Sequence, residues 1–401
     1  MSDELLPGED NFFHLPPHTV DKIFQFRPLS QSIDWGISSL LIPELWTITK
    51  GAGVVVSVLD TGVDHNHPDL KEAIVGKYDM TRSASGTMDR NGHGTHCNGT
   101  IGARNNEDGV VGAAPECQLL PIKVLGDNGS GSGNTVALGI RKAIELGVDI
   151  ISLSLGAPSP DRESQAAVRE AAAAGIWLIA AGGNEGPREN TLGYPGKYPE
   201  SICIGATDQN RRVTNFSSRG DNLDVCTPGY QILSTFPGGK YSTMSGTSMA
   251  TPLCAGILAL IRSVIKKAGF LDKFPQAVIE RILRETSDDI ASPGKDTSGG
   301  FGLVNPTKLM NSVQELLKTY NPNPPSPPVI VLPPSPPVIV LPPSPPVIPP
   351  PGPTGDLIQL VRSDFTDAGL NKIESLKGKK AAFTGPMGTV EIVDLIWNPF
   401  T

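Results

Sequence analysis

Cysteine is scarce and unpatterned in this chain: five residues, at 97, 117, 203, 226 and 254, without the paired spacing of a zinc ribbon. A disulfide framework is thereby excluded, and a reducing, cytoplasmic setting is expected. Blocks of basic residues are missing as well. Lys plus Arg total 33 against 41 Asp plus Glu, a net charge of −8, so no nucleic-acid partner is expected. No apolar run approaches the ~20 residues of a membrane span, and the uncharged stretch Tyr320–Gly355 is too rich in proline to be a spanning helix. The first ten residues are acidic and have no apolar centre, so no secretory leader is expected. Aromatic residues make up only 5% of the chain, yet 38% is hydrophobic and mean hydropathy is −0.09, enough for a globular core. At 401 residues the chain exceeds what one core usually needs, which points to one large domain with appendages.

Proline marks the main boundary. Seventeen of the 38 prolines fall between Pro322 and Pro353, where the unit Pro-Pro-Ser-Pro-Pro-Val-Ile-Val-Leu repeats. Such a segment favours extended polyproline II, at ~3.1 Å per residue a spacer on the order of 100 Å long. Tandem identical repeats suit length better than a docking address. The expected organisation is an N-terminal extension (1–29), one large domain (30–319), the proline-rich linker (320–353) and a small module (354–401) to which no motif assigns a role.

Residues 50 to 319 alternate two textures. Short β-rich runs occur at Val54–Leu59, Leu119–Val124, Val148–Leu155, Ile176–Ala181 and Ser201–Ala206. Helix-period stretches lie at Asn134–Leu146 and Arg162–Ala174, each ending near a glycine, Gly147 and Gly175. Continuous apolar strands alternating with amphipathic helices indicate an α/β fold, a mostly parallel central sheet with helices on both faces. In such sheets the carboxyl ends of the strands carry the site.

Directly after the first run stands Asp60-Thr-Gly62, a weak signal alone, since an Asp at a strand end also caps a turn. Some thirty residues on comes Gly92-His93-Gly-Thr-His96. Four of the six histidines lie between Asp60 and Thr100, but their spacing lacks the Glu between two His at i, i+4 that catalytic zinc needs. After the run ending at Ala181 comes Gly182-Gly-Asn184-Glu-Gly186, where an Asn side chain is placed either to take a turn or to meet a developing oxyanion. Ser245-Gly-Thr-Ser248-Met-Ala-Thr-Pro252 opens a buried helical run, Ala255 to Ile265, which sets Ser248 at a helix N-terminus.

In this order the four motifs resemble the subtilisin-type serine proteases, the subtilase family, over roughly Ser30 to Lys318. The resemblance implies a serine endopeptidase in which Ser248 is the nucleophile and His93 the general base and acid. Asp60 would hold the imidazole tautomer, and Asn184 would be the oxyanion donor beside the Ser248 N–H. A serine hydroxyl needs such an adjacent base, and that base needs an orienting carboxylate. Two segments resemble the family's substrate-binding strands, one carrying Gly129, Ser130 and Gly131, the other Ser154, Leu155 and Gly156. With Ala181 and Gly183 the second would line the pocket for the residue before the scissile bond, and glycine-rich walls leave room for large apolar side chains. Protein or peptide substrates would pair with these backbones as added strands.

The resemblance implies further features. Gln31, Asp69 and Asn106 match positions that bind structural calcium in secreted subtilisins, completed by the backbone oxygens of Arg104, Asp108 and Val110, a donor set suited to a hard cation. Tyr194-Pro195-Gly196 resembles a family segment with a cis proline. Cys97 reads as a buried thiol, where a bulky mercurial would displace His93. The absence of a leader and the short extension resemble intracellular subtilisins, whose extension lies across the cleft and is later cut away. Phe13–His18 fits that zymogen role, because prolines misplace the amide next to the nucleophile; an unstructured tail is the plainer alternative. Other readings are a narrow processing protease recruited through its C-terminal region, a peptide-binding scaffold with a blocked cleft, or a partnership with a separate proteinaceous inhibitor.

Overall fold

The computed structural model describes residues 12–24 and 31–320, together with the strand positions 358–360, 381–385 and 388–392. The proline-rich linker expected at 320–353 lies outside the described residues apart from its first position, as does most of 354–401. Two N-terminal strands come first, β1 (Phe12–His14) and β2 (Thr19–Phe24). The chain then runs β3 (Val55–Asp60), β4 (Tyr78–Asp79), α1 (His93–Gly102), β5 (Gln118–Lys123), β6 (Ser130–Ser132) and α2 (Gly133–Glu145). It continues through β7 (Ile150–Leu153), α3 (Arg162–Ala173), β8 (Trp177–Ala181), β9 (Ile202–Thr207), β10 (Val225–Pro228), β11 (Ile232–Phe236), β12 (Lys240–Ser245) and α4 (Thr247–Ala268).

Seven strands form one parallel sheet in the order β10-β9-β8-β7-β3-β5-β4. The five expected strands and two expected helices are all present, with ends moved by a few residues at most. Alternate residues of one strand face opposite layers. Trp177 and Ile179 of β8 join the cluster built with α1 and α4, whereas Leu178 and Ala180 join the one built with α2 and α3. A sheet covered on both faces explains why its strands are apolar throughout rather than alternating.

Helix α4 is longer than its apolar run suggested. It begins at Thr247, has a mean hydropathy of 1.7 and is almost wholly buried, so its apolar length serves the core. The expected small module holds a three-stranded sheet of its own, Ile358–Leu360, Ala381–Gly385 and Gly388–Ile392.

Candidate active site

Asp60 ends β3 and is fully buried. The chain leaves it by a turn in which Gly62 takes φ +107, a conformation that side chains rarely adopt. Helix α1 packs so tightly on this turn that a Cβ on Gly94 would lie 2.2 Å from the Gly62 oxygen. Gly94 therefore belongs to the docking of α1 on β3, whereas Gly92 makes room for the Phe236 ring; that docking carries His93 Nδ1 to 2.9 Å and 3.0 Å from the two Asp60 oxygens. Burial disfavours a charge on His93, but Asp60, then Cys97, outweighs it and holds the imidazole basicity well above its ordinary value.

Asp89, which the motifs did not flag, ties this pair together. Its Oδ1 accepts bonds from Thr61 Oγ1 at 2.9 Å and from the Asn91 and Gly92 N–H groups at 3.0 and 2.9 Å. Its Oδ2 accepts from the Thr95 amide and hydroxyl at 2.8 and 2.7 Å. One buried carboxylate thus caps α1 and grips the turn after Asp60. His96 points the other way, its Nε2 2.9 Å from the Ile232 oxygen and 3.1 Å from that of Ser242. Burial drops its pKa to about 3, so it is a neutral strut rather than half of a metal pair with His93.

Ser248 sits in the first turn of α4. Pro252, four residues on, has no N–H to give its carbonyl. That oxygen instead accepts from Ser154 Oγ at 3.0 Å and Cys97 Sγ at 3.5 Å. The proline in the motif therefore frees an acceptor that binds the serine's helix to the Ser154–Gly156 strand and to α1. Cys97 Sγ also lies 3.8 Å from His93 Nδ1, closer than sequence spacing implied. Burial, partly opposed by His93, raises its thiol pKa and keeps it protonated. Asn184 follows β8, and its Oδ1 accepts from the Thr247 amide and hydroxyl, each at 2.9 Å. Those two bonds orient the amide, so its Nδ2 is the donor that faces the cleft.

The cleft is filled by the N-terminal segment. β1 lies antiparallel on β6, pairing Phe12 with Ser132, Phe13 with Gly131 and His14 with Ser130. Leu15 N–H donates to the Gly129 oxygen at 3.0 Å, while His14 and Gly156 exchange two backbone bonds of 2.9 Å. Leu155, beside Gly156, is buried in the core. A cavity of about 340 Å³ opens between Pro16, Pro17, Gly156, Ala181, Gly183 and Glu185. The Pro17 carbonyl accepts from Asn184 Nδ2 at 2.8 Å. The next residue, His18, sets its ring edge-on to His93 with centroids 4.8 Å apart. Burial, then the neighbouring His93, lowers the His18 pKa to about 4. With this ring in place His93 Nε2 is buried and has no hydrogen-bond partner, and Ser248 Oγ donates to the Ser154 oxygen at 3.4 Å instead. Neither Pro16 nor Pro17 has an N–H to offer that oxygen.

Away from the cleft, Gln31 Nε2 faces four oxygens: Arg104 O at 2.8 Å, Asp108 O at 3.3 Å, and Val110 O and Asn106 Oδ1 at 3.4 Å. Asn106 Nδ2 reaches Asp69 Oδ1 at 3.3 Å. Two amide protons cannot serve four acceptors, whereas the other amide orientation adds a further oxygen to the ring. This donor set fits a hard divalent cation. Tyr194–Pro195 is cis, as the resemblance implied, and so is Gly186–Pro187.

Residues 51–302 match the sequence profile of the Subtilase family. The chain is 44% identical to the Intracellular serine protease of Paenibacillus polymyxa, across 77% of this chain and 94% of that protein. It is 42% identical to the Major intracellular serine protease of Bacillus subtilis (strain 168), across 68% and 87%. Against Subtilisin Savinase of Lederbergia lenta it is 40% identical, across 69% and 98%.

Proposed function

The chain belongs to the subtilase family and is a serine endopeptidase, and from that premise we propose that Ser248, His93, Asp60 and Asn184 carry the reaction. His93 Nε2 takes the proton from Ser248 Oγ as that oxygen attacks the substrate carbonyl carbon. The resulting oxyanion is held by Asn184 Nδ2 and the Ser248 N–H at the start of α4. His93 then gives its proton to the leaving amine, the C–N bond breaks, and an acyl-enzyme remains on Ser248. Water repeats the sequence: His93 takes its proton, the hydroxide adds, and Ser248 departs with the proton returned. Asp60 keeps Nδ1 protonated throughout and balances the imidazolium.

The observation that carries this reading is the Asn184 amide, locked by Thr247 and already engaged with a peptide carbonyl 2.8 Å away. Substrates pair with Gly129–Gly131 and Ser154–Gly156, and the cavity by Ala181 and Gly183 accepts large apolar side chains with broad tolerance.

Residues 1–29 act as a tethered blocker of the 30–319 domain. The strap keeps its own Pro17 carbonyl on the oxyanion donor while the His18 ring packs edge-on against His93 and covers it. Gln31, Asp69, Asn106 and the Arg104, Asp108 and Val110 oxygens hold one structural calcium, which joins the segment after the extension to two loops. A cytoplasmic location is supported by the intracellular serine proteases the chain is similar to. Fluorophosphonate labelling tests the catalytic assignment. One adduct per chain at Ser248, absent from Ser248→Ala, is expected; labelling elsewhere, or none after the extension is removed, overturns it.

A further inference from the structure

Strand β12 is central in a three-stranded sheet only because β2 lies beside it, in the order β11-β12-β2. The antiparallel pairing runs Ser245 with Thr19, Met244 with Val20, Thr243 with Lys22, Ser242 with Ile23 and Tyr241 with Phe24, with a bulge at Thr243/Met244. β2 therefore occupies the second to seventh residues after the carbonyl that meets Asn184. Its side chains from Thr19 to Ile23 are exposed, so main-chain bonds dominate its hold. The side-chain bonds to it come from Ser242 Oγ, donating to Lys22 O at 2.8 Å, and Ser245 Oγ, donating to Asp21 Oδ2 at 2.6 Å. Phe24 alone packs on the core.

When the strap leaves, β12 becomes a sheet edge with free backbone donors and acceptors. That edge runs straight into Gly246, Thr247 and Ser248. We propose that β12 is an extended subsite for the leaving-group side of the substrate, binding the second to seventh residues after the scissile bond as an added antiparallel strand. It rests on the catalytic reading of Ser248. Its ligand is an extended polypeptide of little sequence restriction, with an apolar residue favoured at the seventh position, where Phe24 packs. Such a subsite selects long unfolded chains over short peptides, because only they reach along β12.

The full chain, brought to constant activity and its sites titrated with fluorophosphonate, is assayed on peptides with one acyl-side sequence and leaving sides of one, three or seven residues. Specificity per titrated site is expected to rise at least roughly tenfold from three to seven residues. In an antiparallel ladder alternate residues face the partner strand. Beyond the bulge the paired residues are five, six and seven, so N-methylation at residue six is expected to affect that gain differently from methylation at five and seven, one set abolishing it. Equal rates for three and seven residues, or a gain indifferent to both methylation sets, overturn the subsite while leaving the catalytic reading intact. Failure of the titration itself overturns both.

Discussion

A buried carboxylate stands at each end of strand β3, Asp149 from the start of the neighbouring β7 and Asp60 from β3 itself, and the two are built in opposite ways. At its amino end Asp149 accepts from the Val55 N–H at 2.9 Å, from Arg262 Nε at 3.1 Å and from Lys266 Nζ at 2.8 Å. The Arg262 guanidinium also lies over the Trp177 ring, 4.6 Å from its centroid. These partners are permanently charged or covalently part of the sheet, so every lone pair has a standing use. At the carboxyl end Asp60 meets an imidazole whose far nitrogen has no partner. A satisfied buried charge cluster holds strands and helix together; one left with an open valence at a cleft is available for proton transfer. The lesson agrees with the general habit of parallel sheets, which keep chemistry at the carboxyl edge.

The sharpest way to break this comparison is to neutralise each carboxylate in turn. Asp60→Asn is expected to lower kcat by about 10⁴, because the imidazole loses its tautomer control, with the unfolding midpoint little changed. Asp149→Ala is expected to do the reverse, costing about 3–5 kcal/mol in denaturant unfolding while turnover per titrated site stays the same. If both variants lose activity without losing stability, the division fails.

A smaller effect concerns the base at the cleft while it is covered. The proton affinity of His18 is lower when docked than when released, since burial, then His93, opposes its charge; Asp60 and the Pro16 carbonyl favour it only in part. Docking is therefore fully supported above pH 6.5 and loses support as pH falls from 6.5 towards 4, by up to about tenfold per unit. Hydrogen-exchange protection of β2 in the Ser248→Ala chain should decline across that window and should be flat in His18→Phe. The smallest expected change is at the Gln31–Asp69 cage: calcium removal by EGTA should lower the unfolding temperature by a few degrees, roughly what a ligand well above its Kd contributes. No shift in calorimetry would remove calcium from the account.

Much of the frame is legible in the residues. The apolar runs mark their strands because burial on both faces demands continuous hydrophobicity, and Asp60, His93, Asn184 and Ser248 stand out because small residues crowd them where elements meet. Asp89 was not legible, since an Asp four residues before a helix looks like any turn or cap residue. Nor was the use of Pro252, whose missing N–H matters only once Ser154 and Cys97 are known to face the freed carbonyl. The antiparallel seating of Phe12–His14 was foreseeable only as a possibility drawn from prolines.

Sequence by itself determined the order of strands and helices, because hydrophobic periodicity and glycine placement are local properties, and the resemblance of its four motifs singled out Asp60, His93, Asn184 and Ser248. Tertiary structure alone decided that the Pro17 carbonyl meets Asn184, that the His18 ring packs edge-on against His93, and that β2 completes the edge of β12. Those contacts join segments far apart in the chain, 75 residues for His18 and His93 and more than 160 for the others, and their geometry exists only after the sheet has brought the carboxyl ends of its strands together.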